Sequence, residues 1–312
     1  GCPWNPWLVF EERFVVFHRR DLIHGAMKMG AGSMLAANAG QSVAAIPMPS
    51  RIIDSNVSLF QWPFRRLPLD EVDGLCDKLK ELRVTQAWAG SFEGLLHRDL
   101  SSVNERLLKA CQNRPELVPI GVINPTLPGW RQDVQRCLGT FQMPGVRLHP
   151  GYHGYALNDP LFGELLAEVS GQKGFVQIAV AMEDTRTQSP LMRVPEVDPG
   201  PLKHWMQQIP KARVQILNSR PGAAEKSKFA AIPRVVFDTS RVDGTDGVAD
   251  LVRAVGDDRV LYGSHAPFLI PEAACIRMVE SHLDASIVKA IMQQNPDHFR
   301  RVAVSPPTDS GR

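Results

Sequence analysis

From residue 51 onward the chain alternates short apolar runs with longer amphipathic stretches. The apolar runs fall near 51–57, 84–89, 117–123, 145–148, 175–180, 213–217, 234–239 and 259–262. Most are continuously apolar and β-branched, the pattern of parallel strands buried on both faces. Helical periodicity fills the intervals. Val72, Leu75, Cys76, Leu79 and Leu82 lie on one stripe of the segment from Leu69 to Leu82, and Leu161 to Val169 and Val248 to Val255 read the same way. Strands recurring roughly every 30 residues, each followed by a helix, predict an α/β fold of the (β/α)8 class, a TIM barrel. A doubly wound open sheet is the alternative, but it would carry a Gly-rich first turn, which is absent. A last helix near 284–302 is expected to close the barrel bottom or pack outside it. The long polar loop from Met182 to Pro201 is expected at the C-terminal face, where barrel chemistry sits.

Three segments follow: residues 1–50 as an N-terminal extension, 51–303 as the barrel, and 304–312 as a polar tail. His18-Arg19-Arg20-Asp21-Leu22-Ile23 precedes an Ala/Gly/Met-rich stretch, and Ala37-Asn38-Ala39 offers small residues for cleavage. This is similar to a twin-arginine export leader, although Lys28 interrupts its apolar part. A leader places the protein in the periplasm or outside the cell; a plain extension leaves it in the cytoplasm.

Composition narrows the partners. Of 312 residues, Lys and Arg number 35 against 33 Asp and Glu, so there is no basic nucleic-acid footprint. No apolar run reaches the ~18 residues of a membrane helix. Cys2, Cys76, Cys111, Cys137 and Cys275 are scattered without a C-x-x-C pair and read as buried free thiols.

Several strand ends together resemble the amidohydrolase superfamily, in its amidohydrolase-2 branch of decarboxylases and lactonases. They are Ile52-Ile53-Asp54, Gly145-Val146-Arg147-Leu148-His149-Pro150, Val176-Gln177-Ile178, Arg213-Val214-Gln215-Ile216-Leu217, Val235-Val236-Phe237-Asp238-Thr239-Ser240 and Leu261-Tyr262-Gly263-Ser264. The resemblance covers about residues 51–300 and implies a metal-dependent-hydrolase-like barrel. At its metal-holding positions the chain departs from the family. The His-x-His of strand one is Asn56-Val57-Ser58, the histidines of strands five and six are Ala179 and Asn218, and the aspartate of strand eight is His265. Neutral Asn and Ser are poor zinc ligands and Ala is none. The Zn or Mn site of the family is therefore expected to be lost, leaving no cofactor.

Residues two apart on a strand share a face. Asp54, Asn56 and Ser58 are thus expected to point together, as are Arg147 and His149, into a polar mouth that also holds Gln177, Asn218 and His265. Arg147 is the candidate grip for a ligand carboxylate. His149, His153, Ser58 and Gln177 are candidate substrate contacts. His265 is the candidate general base, with Asn56 and Asn218 stabilising an oxyanion. The competing reading of His265 is a packed, hydrogen-bonded side chain, and of His153 a backbone-bonded loop residue. A site rebuilt from His149, His153 and His265 is a third reading. The segment Trp62-Pro63-Phe64-Arg65-Arg66 is expected to pack over strand one rather than clamp a ligand. The expected function is metal-independent hydrolysis of a small carboxylated ester or lactone; the alternative is a non-catalytic small-molecule binder on the same barrel. The partner is a small molecule, with neither nucleic acid nor membrane, and a homodimer is the assembly that barrels of this kind favour.

Overall fold

A computed structural model describes residues 48–301. The leader-like motif, Cys2 and the tail from residue 304 lie outside the described residues.

Nine strand segments run in chain order: β1 (Ile52–Leu59), β2 (Val84–Ser91), β3 (Leu117–Pro119), β4 (Gly121–Val122), β5 (Gly145–Leu148), β6 (Phe175–Ala179), β7 (Val214–Leu217), β8 (Val235–Asp238) and β9 (Val260–Leu261). All pairings are parallel, in the orders β1-β2-β3 and β4-β5-β6-β7-β8-β9. The predicted strand at 117–123 is one stave broken at Ile120, whose N–H donates to the Ala89 carbonyl at 2.9 Å. β3 therefore pairs back to β2 while β4 pairs forward to β5. Closure comes after β9: Ser55 N–H donates to the Tyr262 carbonyl, His265 N–H to that of Asn56, and Ser58 N–H to that of Ala266. The result is the (β/α)8 barrel that the pattern predicts.

The helices that follow the staves include α1 (Val72–Glu81), α2 (Leu100–Cys111), α3 (Trp130–Gln135), α4 (Pro150–His153), α5 (Pro160–Gly171), α6 (Leu202–Gln208), α7 (Ala223–Ala230), α8 (Gly247–Val255) and α9 (Pro271–Glu280). The α1 stripe buries Leu75, Cys76 and Leu79 against the barrel, each apolar side chain contributing about 1.5–3 kcal/mol. A continuous helical stretch from Ala285 to Arg301 ends the described chain. It closes the barrel bottom, where Phe299 joins Ile53, Trp88, Ile120, Phe175, Val236 and Leu261 in an apolar layer. Trp88 and Phe175 pack with ring centroids 5.2 Å apart. The four described cysteines are free thiols, three of them buried. Among the described residues no helix is long and apolar enough to cross a membrane.

One local feature departs from simple strand alternation. β1 slips against β2 between Asp54 and Val57, so three steps on β1 match two on β2. This bulge turns both Ser55 and Asn56 inward: Ser55 Oγ accepts from Gln215 Nε2, and Asn56 Nδ2 donates to Asn218 Oδ1. Asn56 and Ser58 keep the expected common face, but Asp54, before the bulge, leaves it, and its Oδ1 accepts from the Asn56 and Ser264 N–H groups.

Candidate functional site

Above the apolar bottom lies a polar layer. Arg147, Gln177 and Gln215 sit side by side on β5, β6 and β7. Arg147 Nε donates to Gln177 Oε1 at 2.9 Å, and Gln177 Nε2 donates to Gln215 Oε1 and the Ser55 carbonyl. Across the barrel, Arg147 Nη1 donates to the Val57 carbonyl and Ser58 Oγ, and Nη2 to the Trp88 carbonyl. A Cβ at position 90 would stand 2.7 Å from Arg147 Nη1, so any larger residue there must displace the guanidinium. Burial pulls the guanidinium down to about 10, so it keeps its charge at neutral pH. The structure thus brings the predicted contacts Arg147, Ser58 and Gln177 together, but bonded to one another and to backbone. Arg147 is not a free cation at a mouth; every one of its nitrogens already donates within the barrel.

The next layer holds the positions at which the resemblance places a metal. Asn56 Nδ2 donates to Asn218 Oδ1 at 2.7 Å and to Asp238 Oδ2 at 2.6 Å. Asn218 N–H donates to Asp238 Oδ1, and Ser240 Oγ to Asn218 Oδ1. Burial raises the Asp238 carboxyl above its ordinary range, against the pull of these hydrogen bonds. Burial likewise lifts Asp54 to about 6. The oxygens that could face a cation face an amide instead. The donor set does not fit a metal: Asn56, Ser58 and Asn218 are neutral and Ala179 has no donor. Among the described residues no three His, Cys, Asp or Glu side chains converge to hold an ion. The third reading, a centre rebuilt from His149, His153 and His265, is thereby corrected: their rings do not meet around a common point.

His265 and Asn218 both adopt the left-handed backbone, with φ of 58° and 61°. His265 is fully buried. Its Nε2 lies 2.9 Å from the Met182 carbonyl and therefore carries the proton, leaving Nδ1 as the lone-pair nitrogen with no partner. Burial pushes its pKa down to about 3. Its ring stacks on Phe268 at 5.0 Å. His149 is also buried, with neither ring nitrogen bonded and its pKa pushed well below 6.5 by burial. His153 stands 5.9 Å from it and meets the Gly94 carbonyl through Nε2, the backbone-bonded role that was the competing reading.

An aromatic plug covers these groups. Trp62, 2% exposed, packs edge-on against Phe64, Phe92, Tyr152 and Phe268. Leu67, Leu95, Ala179, Met182 and Leu217 complete the cluster. The Trp62 segment packs over the barrel as its composition predicts.

An open cleft of about 350 Å³ lies beside the plug, at the C-terminal ends of β7 and β8 and over the segment that follows β9. Four arginines line it. Arg65 reaches Glu183 at 3.3 Å and covers the Phe268 ring. Arg220 is held by Asp184 at 2.7 Å and Asp243 at 2.6 Å. Arg277, from α9, donates to the Thr239 and Ser240 carbonyls. Arg241, only 7% exposed, has a single long bond of 3.5 Å to the Glu183 carbonyl. In sequence Asp238 ends β8 with Arg241 three residues on, and Glu183 lies in the polar loop from Met182 to Pro201. Arg220 and Arg277 carried no signal, because helix and loop positions far apart in sequence reveal nothing about convergence.

No protein-family model matches the chain, and no curated protein sequence does. Solved structures do. A 2,6-dihydroxybenzoate decarboxylase from Rhizobium superposes with a TM-score of 0.62 at 12% identity, over 79% of this chain and 98% of that one. A 5-carboxyvanillate decarboxylase from Sphingomonas paucimobilis gives 0.62 at 10% identity, over 81% and 100%. The 5-carboxyvanillate decarboxylase of Novosphingobium aromaticivorans, solved with manganese and a nitrobenzoic acid, gives 0.62 at 14% identity, over 80% and 96%. The resemblance in the strand ends holds at the level of architecture: this chain has the (β/α)8 barrel of these decarboxylases, and at such identities the likeness speaks for the fold alone.

Proposed function

We propose that this protein is a small-molecule-binding barrel that does not hydrolyse its ligand. The supporting observation is the closed centre: the Asn56 amide bridges Asn218 and Asp238 beneath a fully buried His265. A general base must reach the proton it removes and hold a pKa near the working pH. The basic nitrogen of His265 meets neither condition, because it is inaccessible and its pKa is pushed to about 3. Asn56 Nδ2 donates inward to Asn218 Oδ1 and Asp238 Oδ2, and Asn218 Nδ2 donates to the Met182 sulfur, so neither amide is directed at a substrate oxyanion. The sequence reading of metal-independent lactone hydrolysis is therefore the weaker of the two.

The ligand class proposed is a small carboxylated molecule. Two barrels of similar fold were solved with such compounds, 2,6-dihydroxybenzoate in one and a nitrobenzoic acid in the other. The cleft beside the plug supplies the cationic lining such a ligand needs. A turnover screen across esters, lactones and hydroxybenzoates tests the reading, with His265→Ala as the reference. Wild type is expected to match the variant at background. Turnover lost in His265→Ala would instead establish the hydrolase.

A further inference from the structure

The cleft distinguishes its four arginines by what they already hold. Arg65 and Arg220 are committed to carboxylates. Arg277 is committed to two backbone carbonyls, which fixes the turn that carries Arg241. Among the described residues, Arg241 keeps its Nε and Nη2 without a hydrogen-bond partner and, like Arg277, has no carboxylate within ion-pair distance. Yet it is 93% buried by its surroundings. A guanidinium so placed has lost much of its water without gaining a counter-ion, and a buried charge is costly until it is paired. Nε and Nη2 lie on one edge of the guanidinium and donate in parallel, the geometry that one carboxylate matches with both oxygens.

The charge balance limits the ligand further. The four arginines face three lining carboxylates, Glu183, Asp184 and Asp243. The lining carries one net positive charge, and of the two arginines without a carboxylate partner, Arg241 and Arg277, Arg241 is the buried one. A monoanion neutralises the cleft, whereas a second negative charge meets the three carboxylates already there. Phe268 and Leu269 provide an apolar wall, and about 350 Å³ accommodates a single-ring molecule.

Resting on the binding reading above, we infer that this cleft is a monocarboxylate site in which Arg241 grips the carboxylate through Nε and Nη2. The site is separate from the closed barrel centre, and Arg147 takes no part in it.

Calorimetric titration tests the inference with benzoate, its neutral analogue benzamide, the dicarboxylate isophthalate and inorganic phosphate. Wild type is expected to bind benzoate, with benzamide and isophthalate each weaker by about tenfold or more, since a charge-assisted pair contributes roughly a factor of ten to a hundred. Arg241→Ala should lose benzoate affinity by a similar factor. Arg241→Lys, which keeps the charge but not the fork, should recover only part of it. The wild-type comparison of benzoate with benzamide needs no variant and stands if Arg241→Ala misfolds. Arg131→Ala, at an exposed ion pair with Glu164, serves as the control. Equal binding of benzoate and benzamide, tighter binding of phosphate or isophthalate, undiminished benzoate affinity in folded Arg241→Ala, or no binding at all would overturn the inference. Ester turnover with intact Arg241-dependent benzoate binding would overturn only the non-hydrolytic reading.

Discussion

Arg147 and Arg241 are both nearly inaccessible, at 2% and 7% exposure, and they serve opposite ends. Arg147 lies on the barrel axis, where all three of its nitrogens donate to β1, β2 and β6 and no site is left for a ligand. Arg241 lies at the rim, where the surrounding loops bury its stem and leave one edge of its guanidinium unpaired. Burial alone thus says little about the role of a cation. What separates a structural arginine from a binding one is whether its donors are already used.

The axis should fail first when disturbed. Arg147→Leu strands the Val57 and Trp88 carbonyls and leaves Asp54 and Asp238 without their nearby positive charge. A stability loss of about 3–5 kcal/mol is expected in urea unfolding, with benzoate affinity unchanged in the folded fraction. A variant of normal stability that no longer binds benzoate would reverse the roles assigned to the two arginines.

Gly90→Ala sharpens the same contrast without removing a charge. Its methyl would meet Arg147 Nη1 at 2.7 Å and Cζ at 2.9 Å, and about 1–3 kcal/mol of destabilisation is expected. An unchanged melting temperature would mean that the polar layer is looser than its hydrogen bonds imply.

Acid probes the buried histidines. His149, His153 and His265 all have pKa values held below 6.5, chiefly by burial. As pH falls the unfolded chain takes up protons first, near 6.5, so each histidine withdraws stability from there down to its folded pKa. For His265 that window runs from about 6.5 to about 3. Asp54, raised to about 6, acts in the opposite sense: its ionised form costs stability above 6, and acidification relieves that cost. His149→Leu removes a proton site with no hydrogen bonds to lose. It should flatten the acid-side slope by about 1.4 kcal/mol per pH unit, measured as unfolding free energy at pH 7.5 and 5. An unaltered slope would place His149 in contact with water.

The smallest effect expected is that of added metal. Ligands that bind only the folded state raise its stability by mass action. With amides, a hydroxyl and an alanine at the inherited positions, zinc or manganese should leave the melting temperature unmoved. A rise of several degrees would show a centre that the side chains rearrange to form.

Much of the barrel was legible from the chain because parallel strands buried on both faces leave largely apolar runs such as Phe175–Ala179 and Val235–Asp238. The third stave was legible only as one segment, since its break at Ile120 depends on which neighbour each half meets. The altered positions Asn56, Ser58, Ala179, Asn218 and His265 were also readable, because residue type alone decides whether a side chain can ligate a metal.

Burial of His265, saturation of Arg147 and the bulge that turns both Ser55 and Asn56 inward were not readable. Alternation indicates that a strand residue faces the axis, but not whether its partners there are protein or ligand. The cleft was hidden most deeply: Arg65, Glu183, Arg220, Arg241 and Arg277 come from five separate segments. By itself the sequence determined the architecture and the chemical types available at each stave end, because periodicity and side-chain chemistry are local properties. Only the tertiary structure decided which cation is spent and which is free, because hydrogen-bond satisfaction is a property of neighbours brought together by folding.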